Sequence, residues 1–398
     1  MTTTTEAPNV ASAIESRTAP AAGSVESHLH PVPSWDLADH PVPSGREEIW
    51  RFTPVKRLAT LFKSEASGAH LEWDARLPDG VTSRAISQAE ARELSVEAPV
   101  DRISALAHTN SPEGAVLVEI PDEFIGAEPI IITLKGNGHT VFGHVIFSIG
   151  KFAELTLVVR FEGEGTFAEK TDVIVGDGAK LNLVTVQDWA DGAVHGGQRS
   201  VRVGRDAHVK TVTASLGGEV VRLQENSHFQ GPGGQIESYG LYFVDAGQHI
   251  EHRLFVDHNE PHTKSDVDYR GALQGEGAHS VWIGDVLIRK VAEGIETYEA
   301  NKNLVLTDGC RADSVPNLEI ETGEIAGAGH SSTTGRFDDL QLFYLRSRGI
   351  TEDEARRLVV HGFFWDIIRR IDVPFIEERM MAQVEKELEV FKAVEAEK

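Results

Sequence analysis

Histidine and cysteine are the residues of this sequence with the clearest capacity for metal or sulfur chemistry. The chain has 17 histidines and one cysteine. His330 lies in the segment GAGHSSTTG, between residues too small to cover it, so we expect its imidazole to be reachable from outside. A neutral imidazole is a borderline ligand that suits iron. The alternative is a structural histidine that hydrogen-bonds a backbone carbonyl in a turn.

The single thiol belongs to Cys310, in the predicted turn DGCRADSVP. It is either a ligand or sulfur acceptor, or a buried, incidental cysteine. One cysteine excludes an internal disulfide framework and a cysteine-rich metal site. Position 328, near His330, is an alanine. The chain therefore has no thiol close to His330 in the sequence.

Two other histidine-bearing segments have alternative interpretations. His249, His252, His258 and His262 lie in QHIEHRLFVDHNEPH. As a zinc site this spacing is weak, because a separation of three puts the first two on opposite faces of a strand. We predict surface or turn histidines instead. Two HPVPS copies, His30–Ser34 and His40–Ser44, predict an extended linker rather than a metal-binding tract.

Several enzyme classes leave no signal in the sequence. It has no phosphate loop of the form G-x-x-x-x-G-K-[ST], no G-x-S-x-G elbow and no distinct pair of carboxylates. The loose dinucleotide match Gly163–Ala168 has no helix after it and no parallel unit around it, so we discount it. We therefore expect that this chain does not bind ATP through a phosphate loop.

Net charge and hydropathy exclude further classes of protein. The net charge is −24, which argues against binding to nucleic acid or an anionic membrane, since both require a basic surface. No apolar run reaches the ~18 residues that span a bilayer. The N-terminus has no basic start followed by an apolar core, and so does not read as a secretory signal. We expect a soluble, cytoplasmic protein.

The elements that must position these residues change character along the chain. From about residue 113, apolar and polar residues alternate, and three segments that begin at Ile149, Val175 and Val203 share one template of a turn, a small residue and a strand. Such repeats, with no helical pattern between them, predict stacked coils, a β-solenoid that ends near Ile325. A β-sandwich with similar hairpins is the alternative. Glycine and alanine recur at fixed offsets, where coils must approach closely, and this favours the solenoid.

The segment 323–350 predicts a strand end, a tight turn at His330 and then a helix. Asp338 and Asp339 would lie at the positive end of the helix dipole, and Arg346 and Arg348 at the negative end. Gly349 is the expected left-handed cap. Thr351-x-x-Glu354 predicts a capping box and a second helix. A third helix follows Pro374 and ends near Glu397.

The N-terminal part predicts less regular structure. Residues 1 to about 25 are expected to be disordered. The segment Gly45–Leu61 predicts a short helix broken at Pro54, with Trp50 and Phe52 as anchors, and Ser87–Leu94 predicts another. The predicted organisation is a disordered, proline-rich tail (1–44), an N-terminal helical region (45–112), the solenoid (113–337) and a C-terminal helical region (338–398).

The segment Pro316–Ile350 resembles the C-terminal signature of the SufB/SufD family, the scaffold subunits of the SUF iron–sulfur assembly machinery. The matching residues are Pro316, Leu318, Glu319, Ile320, His330, Thr334, Gly335, Asp338, Asp339 and the octapeptide FYLRSRGI from Phe343 to Ile350. The octapeptide is a specific signal. The resemblance covers about residues 45–370, and the chain's length and lack of insertions favour SufD over SufB.

This resemblance implies a right-handed parallel β-helix core flanked by helical regions. It implies a scaffold that pairs with a SufB-like subunit and docks the ATPase SufC. The implied docking residues follow the solenoid: Asp338, Asp339, Phe343, Tyr344, Arg346 and Arg348. His330, and with less support Cys310, would hold iron or a transient iron–sulfur cluster at the partner interface.

The resemblance leaves open whether FAD binds the assembled complex and whether the chain alone forms a homodimer. Two alternatives remain for the protein as a whole. One is a carbohydrate-active solenoid enzyme, which would require aligned carboxylates or basic residues along the flank. The other is a SufB-type, cluster-carrying subunit, which would be expected to have more than one thiol.

Overall fold

The computed structural model describes residues 32–63, 65, 68–111, 114–336 and 339–370, with scattered positions from 374 to 386. Strands make up 49% of the chain and form a parallel β-solenoid of about eight turns, with helices toward both termini. This confirms the predicted fold class, and the parallel pairing rules out the sandwich alternative. Residues 1–31 of the predicted tail (1–44) and much of the predicted third helix lie outside the described residues. Residues 32–44 of that tail are described and include the 3-10 helix Leu37–Asp39.

The N-terminal region contains strands as well as helices. Within the described residues, three 3-10 helices precede the first strand: Leu37–Asp39, Glu48–Trp50 and Val55–Phe62. The other elements, in chain order, are β1 (Glu72–Ala75), β2 (Thr82–Ile86), α1 (Gln88–Leu94), α2 (Arg102–Thr109), β3 (Ala115–Ile120), β4 (Ile130–Ile149), β5 (Glu154–Val175), β6 (Lys180–Trp189), β7 (Val194–Val203), β8 (His208–Ser215), β9 (Val220–Phe229), β10 (Gln235–Val244), β11 (His249–His258), β12 (Lys264–Leu273), β13 (His279–Ile288), β14 (Glu296–Val305), β15 (Arg311–Ile320), β16 (Gly327–Arg336), α3 (Asp339–Ser347) and α4 (Glu352–Ile368).

Alternate strands of the solenoid form two facing sheets. We call β7, β9, β11, β13 and β15 sheet I, and β6, β8, β10, β12, β14 and β16 sheet II. The long strand β5 runs through both sheets, since its first half pairs with β6 and its second half with β7. Each strand from β6 to β14 pairs in parallel with the strand one coil earlier and the strand one coil later, whereas β15 and β16 pair only with the earlier one among the described residues. The apolar core lies between the two sheets.

The repeated turns account for the small residues that recur in the sequence. The amide of Gly176 donates to the carbonyl of Ile149 at 2.9 Å, and that of Gly204 to Val175 at 3.0 Å, so each turn rests directly on the previous coil. A Cβ on Gly176 would lie 2.8 Å from the amide nitrogen of Lys151. A side chain at these positions would therefore push neighbouring coils apart. The predicted reason for the repeat is confirmed.

The third residue after the start of each repeat bends the chain back. Phe152, Gly178 and Asp206 occupy this position with φ of 56°, 65° and 53°. This left-handed conformation costs most residues about 1 kcal/mol or more, and glycine and aspartate tolerate it better than other residues. The residue that follows in each repeat is a buried alanine, for example Ala179, and the next strand begins directly after it.

Helical segments cover the outer faces of both sheets. Trp50, Leu58 and Leu61 pack with Val194 and Val220 on the outside of sheet I. Trp50 is buried as predicted, whereas Phe52 is only half-buried. The chain breaks between two 3-10 helices at Pro54, and Ser87 caps α1, so these two predictions are confirmed. The strands β1 and β2 within the predicted helical region were not foreseen.

The C-terminal helices follow the sequence signals closely. Thr351 and Glu354 form the predicted capping box at the start of α4. Gly349 has a φ of +83°, which confirms the left-handed cap after α3. Val360 and Phe364 of α4 are fully buried against the outside of sheet II. No helix among the described residues is long and apolar enough to cross a membrane.

The prediction for the segment around His330 was wrong in one respect. The solenoid does not end near Ile325, and His330 does not lie in a tight turn. Gly327–Arg336 instead forms β16, which pairs along its whole length with β14. The last described strand ends at Arg336, which agrees with the predicted bounds of 113–337. Pairing with a preformed strand fixes the extended backbone, although this segment is rich in small residues and has few typical strand formers.

Candidate functional site

His330 lies on the last strand of sheet II and faces the inside of the solenoid. Ala328, two residues earlier, packs against the core between the sheets, and side chains alternate along a strand, so His330 shares the inward face. Its side chain is nevertheless 43% exposed. In the described part of the chain, β16 has a strand neighbour only on the β14 side. The imidazole is reachable because no coil stacks above it, not because its neighbours are small.

Directly below His330 in the stack lies Glu299 of β14, its register partner. The Glu299 side chain is 2% exposed, and its Oε1 lies 3.8 Å from Nδ1 of His330, which is too long for a hydrogen bond. Burial, together with the nearby charge of Asp285, raises the pKa of Glu299 to about 8. Among the described residues, Oε1 has no hydrogen-bond partner.

Space for this carboxyl group comes from a glycine on the opposite sheet. A Cβ on Gly284 of β13 would lie 2.3 Å from Oε2 of Glu299 and 2.4 Å from the ring of Trp282. Sequence reasoning missed Glu299. The available signal was a row of polar residues at alternate positions of β14, namely Thr297, Glu299, Asn301 and Asn303.

The remainder of this row is held rigidly. The hydroxyl of Tyr242 donates to Oδ1 of Asn303 at 2.6 Å, and Nδ2 of Asn301 donates to that hydroxyl at 2.9 Å. Nδ2 of Asn303 donates to Oδ1 of Asn301 at 2.7 Å, and the hydroxyl of Ser314 on β15 donates to the same oxygen. Polar side chains that bond to one another thus line part of the inside of the solenoid near its C-terminal end.

Cys310 is placed away from the register pair of His330 and Glu299. It lies in the turn between β14 and β15, half-buried, where its thiol donates to the carbonyl of Gly275 at 3.4 Å and contacts the Thr307 hydroxyl at 3.5 Å. Burial raises the pKa of this thiol. Metal binding requires the thiolate, so this environment does not favour Cys310 as a ligand.

The cluster of four histidines differs from its prediction. His249, His252 and His258 of β11 are buried rather than at the surface, because the strand is covered on both faces. The predicted opposite orientation of the first two is confirmed. His252 contacts the Ser215 hydroxyl inside the solenoid, whereas Nδ1 of His249 lies 3.1 Å from Nδ1 of His279 on the outside. Burial lowers the pKa of His252 and of His258 to about 4.

These histidines belong to structural hydrogen-bond networks. His262, the fourth, lies in a turn with a φ of +57°. Among the described residues, no three histidine, cysteine, aspartate or glutamate side chains converge as a metal site would require.

Helix α3 presents an apolar surface to solvent. Leu340, Phe343 and Tyr344 are 76%, 72% and 58% exposed. Arg346 pairs with Glu352 at 3.5 Å, and the guanidinium of Arg348 lies 5.1 Å from the centre of the Tyr344 ring. Asp338, predicted to contact a partner, lies outside the described residues, as does the side chain of Asp339.

Comparison with known proteins identifies the family. Residues 132–363 match the family model described as SUF system FeS cluster assembly, SufBD core domain. An iron–sulfur cluster assembly SufBD family protein of Mycobacterium tuberculosis is 48% identical over 372 residues, which are 91% of this chain and 93% of that protein. A second SufBD family protein of M. tuberculosis is 25% identical over 218 residues, 55% of this chain and 26% of that protein.

A relative with a more specific name is more distant. The iron–sulfur cluster assembly protein SufD of Bacillus subtilis is 22% identical over 299 residues, 72% of this chain and 67% of that protein. The match of the core domain covers more than half of the chain, and the mycobacterial match covers nearly all of it. The chain belongs to the SufBD family of iron–sulfur cluster assembly proteins.

Proposed function

We propose that this chain is a SufD-type scaffold subunit, which pairs with a SufB-like chain and docks a SufC-like ATPase. The observation that carries the proposal is the half-exposed imidazole of His330 on the last strand of the solenoid. In this role the chain is not an enzyme by itself, and it works in the cytoplasm. The family match gives no support to a carbohydrate-active enzyme, and the single thiol disfavours a SufB-type subunit.

The proposed partner surface is the free edge of the last coil. In the described part of the chain, β15 and β16 each have a strand neighbour on one side only. Each strand is ten residues long, and the backbone donors and acceptors of alternate residues face the side without a neighbour, where another chain can pair. The presence of two SufBD family proteins in M. tuberculosis favours a pair of unlike chains. A homodimer through the same edge is expected when the partner is absent.

Iron, or a nascent cluster, is the cargo at this edge. His330 would supply one neutral imidazole, which suits iron, and the partner would supply thiolates. A cargo held between two chains is released when they move apart, whereas one chain with a single suitable imidazole holds it only transiently. The isolated chain is therefore expected to carry no stable cluster.

The proposed ATPase dock is the exposed apolar face of α3. Leu340, Phe343 and Tyr344 provide aromatic and aliphatic anchors of the kind that a helix places in a partner's groove. Helix α4 is less suited to this role on its inner side, because Val360 and Phe364 already pack against sheet II. The absence of a phosphate loop in this sequence is consistent with ATP binding by the partner.

Substitution of His330 tests the proposal. In the complex co-expressed with its SUF partners, His330→Ala should sharply reduce cluster yield but lower stability by no more than about 0.5 kcal/mol, as expected for an exposed side chain. His208→Ala, a change at a similarly exposed histidine (45%) on β8, is the matched control. A lowered melting temperature with normal cluster yield per folded complex would refute the functional role.

A further inference from the structure

We propose that Glu299 is a second metal ligand, and that it forms with His330 a two-donor site for a ferrous ion on this chain's side of the interface. This inference rests on the proposed function, since it assumes that His330 binds iron. It adds a ligand from the inside of the solenoid and names the form of iron. The argument rests on geometry, on an unpartnered atom and on donor chemistry.

The geometry suits a shared cation. Oε1 of Glu299 and Nδ1 of His330 are 3.8 Å apart. Protein nitrogen and oxygen ligands lie about 2.0–2.2 Å from a divalent transition metal, so an ion between these two atoms touches both after a modest side-chain rotation. The pair belongs to adjacent strands in direct register, which fixes the spacing of the two backbones.

The carboxyl group is otherwise unexplained. Its side chain is 2% exposed, and Oε1 has no hydrogen-bond partner in the part of the chain that the structure describes. An unsatisfied buried polar atom costs about 1–3 kcal/mol, and an absent ion is one of the accepted reasons for such an atom in a native protein. The Glu299 side chain fits at this position only because residue 284 on the opposite sheet is a glycine, since a Cβ there would collide with the carboxyl group.

The donor set indicates which cargo binds here. One imidazole nitrogen and one carboxylate oxygen suit Fe²⁺, whereas an iron–sulfur cluster prefers thiolates. Cys310, the only thiol, contacts Gly275 and Thr307 in a turn and is not part of this pair. The two chains would thus divide the work, with the iron ion entering on this side and sulfur on the thiolate side.

Metal titration of the full-length chain tests this inference, with Co²⁺ as the spectroscopic probe and Fe²⁺ under anaerobic conditions as the second ion. Glu299→Gln keeps the size and hydrogen-bonding capacity of the side chain but removes the carboxylate. We expect it to weaken Co²⁺ binding by at least about 10- to 100-fold, since even the loss of an outer hydrogen-bond partner of a ligand has an effect of this size. Circular dichroism checks the fold.

Glu296→Gln is the matched control. Glu296 lies on the same strand, is 59% exposed and pairs with Lys264 at 2.7 Å, so its substitution should change Co²⁺ affinity less than twofold. If Glu299→Gln fails to fold, Glu299→Asp carries the test, because it keeps the charge but withdraws the oxygens from His330; weaker binding is again expected.

Three results are distinguishable. Weaker binding in both His330→Ala and the Glu299 variant supports the two-donor site. Weaker binding in His330→Ala with wild-type affinity in the Glu299 variant overturns the inference and leaves the proposed function standing. Wild-type affinity in His330→Ala overturns the proposed iron-binding role, and the two-donor site with it.

Discussion

His228 fastens the N-terminal region to the solenoid, and we predict that alkaline pH loosens this contact. Its Nε2 lies 3.3 Å from Glu97, in the segment before α2, and its Nδ1 lies 3.5 Å from Asp257 on β11. Glu97 also accepts hydrogen bonds from Ser200 at 2.7 Å and Asn226 at 2.6 Å. Burial disfavours the imidazolium, but the hydrogen bonds to the two carboxylates outweigh it and raise the pKa of His228 to about 9.

The sign and size of the effect follow from this value. The folded-state pKa lies above the ordinary 6.5 of histidine, so the folded protein holds this proton more tightly than the unfolded chain. The contribution to stability is complete below pH 6.5 and is lost as pH rises through about 9. At about 1.36 kcal/mol per pKa unit, the loss amounts to about 3 kcal/mol.

Denaturant unfolding of wild type and His228→Gln between pH 6 and pH 9.5 measures this loss. The difference between their free energies of unfolding should shrink by about 3 kcal/mol across this range. The protection of the amides in residues 95–101 against hydrogen exchange, relative to the intrinsic base-catalysed rate at each pH, should fall in wild type as the pH rises. The buried carboxyl of Glu299, with its pKa near 8, also makes stability fall with pH, but it does so in both proteins and cancels in the difference.

His208→Gln, at an exposed histidine, is the control and should show no such trend. A difference between wild type and His228→Gln that stays constant from pH 6 to pH 9.5 would show that His228 is not held charged by Glu97 and Asp257. The contact between the N-terminal region and the solenoid would then not depend on protonation of His228, even if the substitution itself is destabilising.

Three further predictions concern other parts of the chain. Phe364→Ala should lower the free energy of unfolding by about 3–5 kcal/mol, because it opens a cavity under α4, whereas Trp365→Ala, at a 49% exposed position, should cost far less in the same urea titration. Phe343→Glu should abolish binding of the SufC-like ATPase in calorimetry and leave the β-type circular dichroism intact; Val291→Glu, at a 63% exposed position in a turn, should leave binding unchanged. Cys310 should react slowly with iodoacetamide at pH 7 and faster above pH 9, since burial raises its pKa, and a fast reaction at pH 7 would contradict the described environment.

The fold was largely predictable because its physical cause is local and repeated. A coil that stacks closely on the next needs small residues at fixed offsets, and Gly176 and Gly204 record that need directly in the sequence. The strand β16 was not predictable in the same way. Its residues have no alternating apolar pattern, and the strand exists because β14 already offers an edge. Tertiary pairing overrode local preference there.

In the candidate site, too, a residue recognisable from its own segment was predicted, whereas one that depends on the pairing of distant strands was missed. His330 could be found from its flanking residues and from the resemblance, because both are visible in one segment. Glu299 could not, since its burial depends on which strand stacks below His330 and on the room left by Gly284 of the opposite sheet. The buried state of His249, His252 and His258 was missed for a related reason. A strand covered on both faces by distant segments looks, in sequence, like one with an open face.

If a partner chain pairs with the last coil, as proposed, the stability of this protein depends on the concentration of that partner. In a solenoid each coil is stabilised by its two neighbours, and the coil of β15 and β16 has only one within the described chain. A chain that pairs with this edge in the folded state alone shifts the folding equilibrium by mass action, by about 2.7 kcal/mol at a hundredfold excess over its dissociation constant. The extent to which this coil frays would then decrease as the concentration of the partner rises. Synthesis of the two chains in unequal amounts would leave the surplus with an exposed strand edge, which is a template for aggregation.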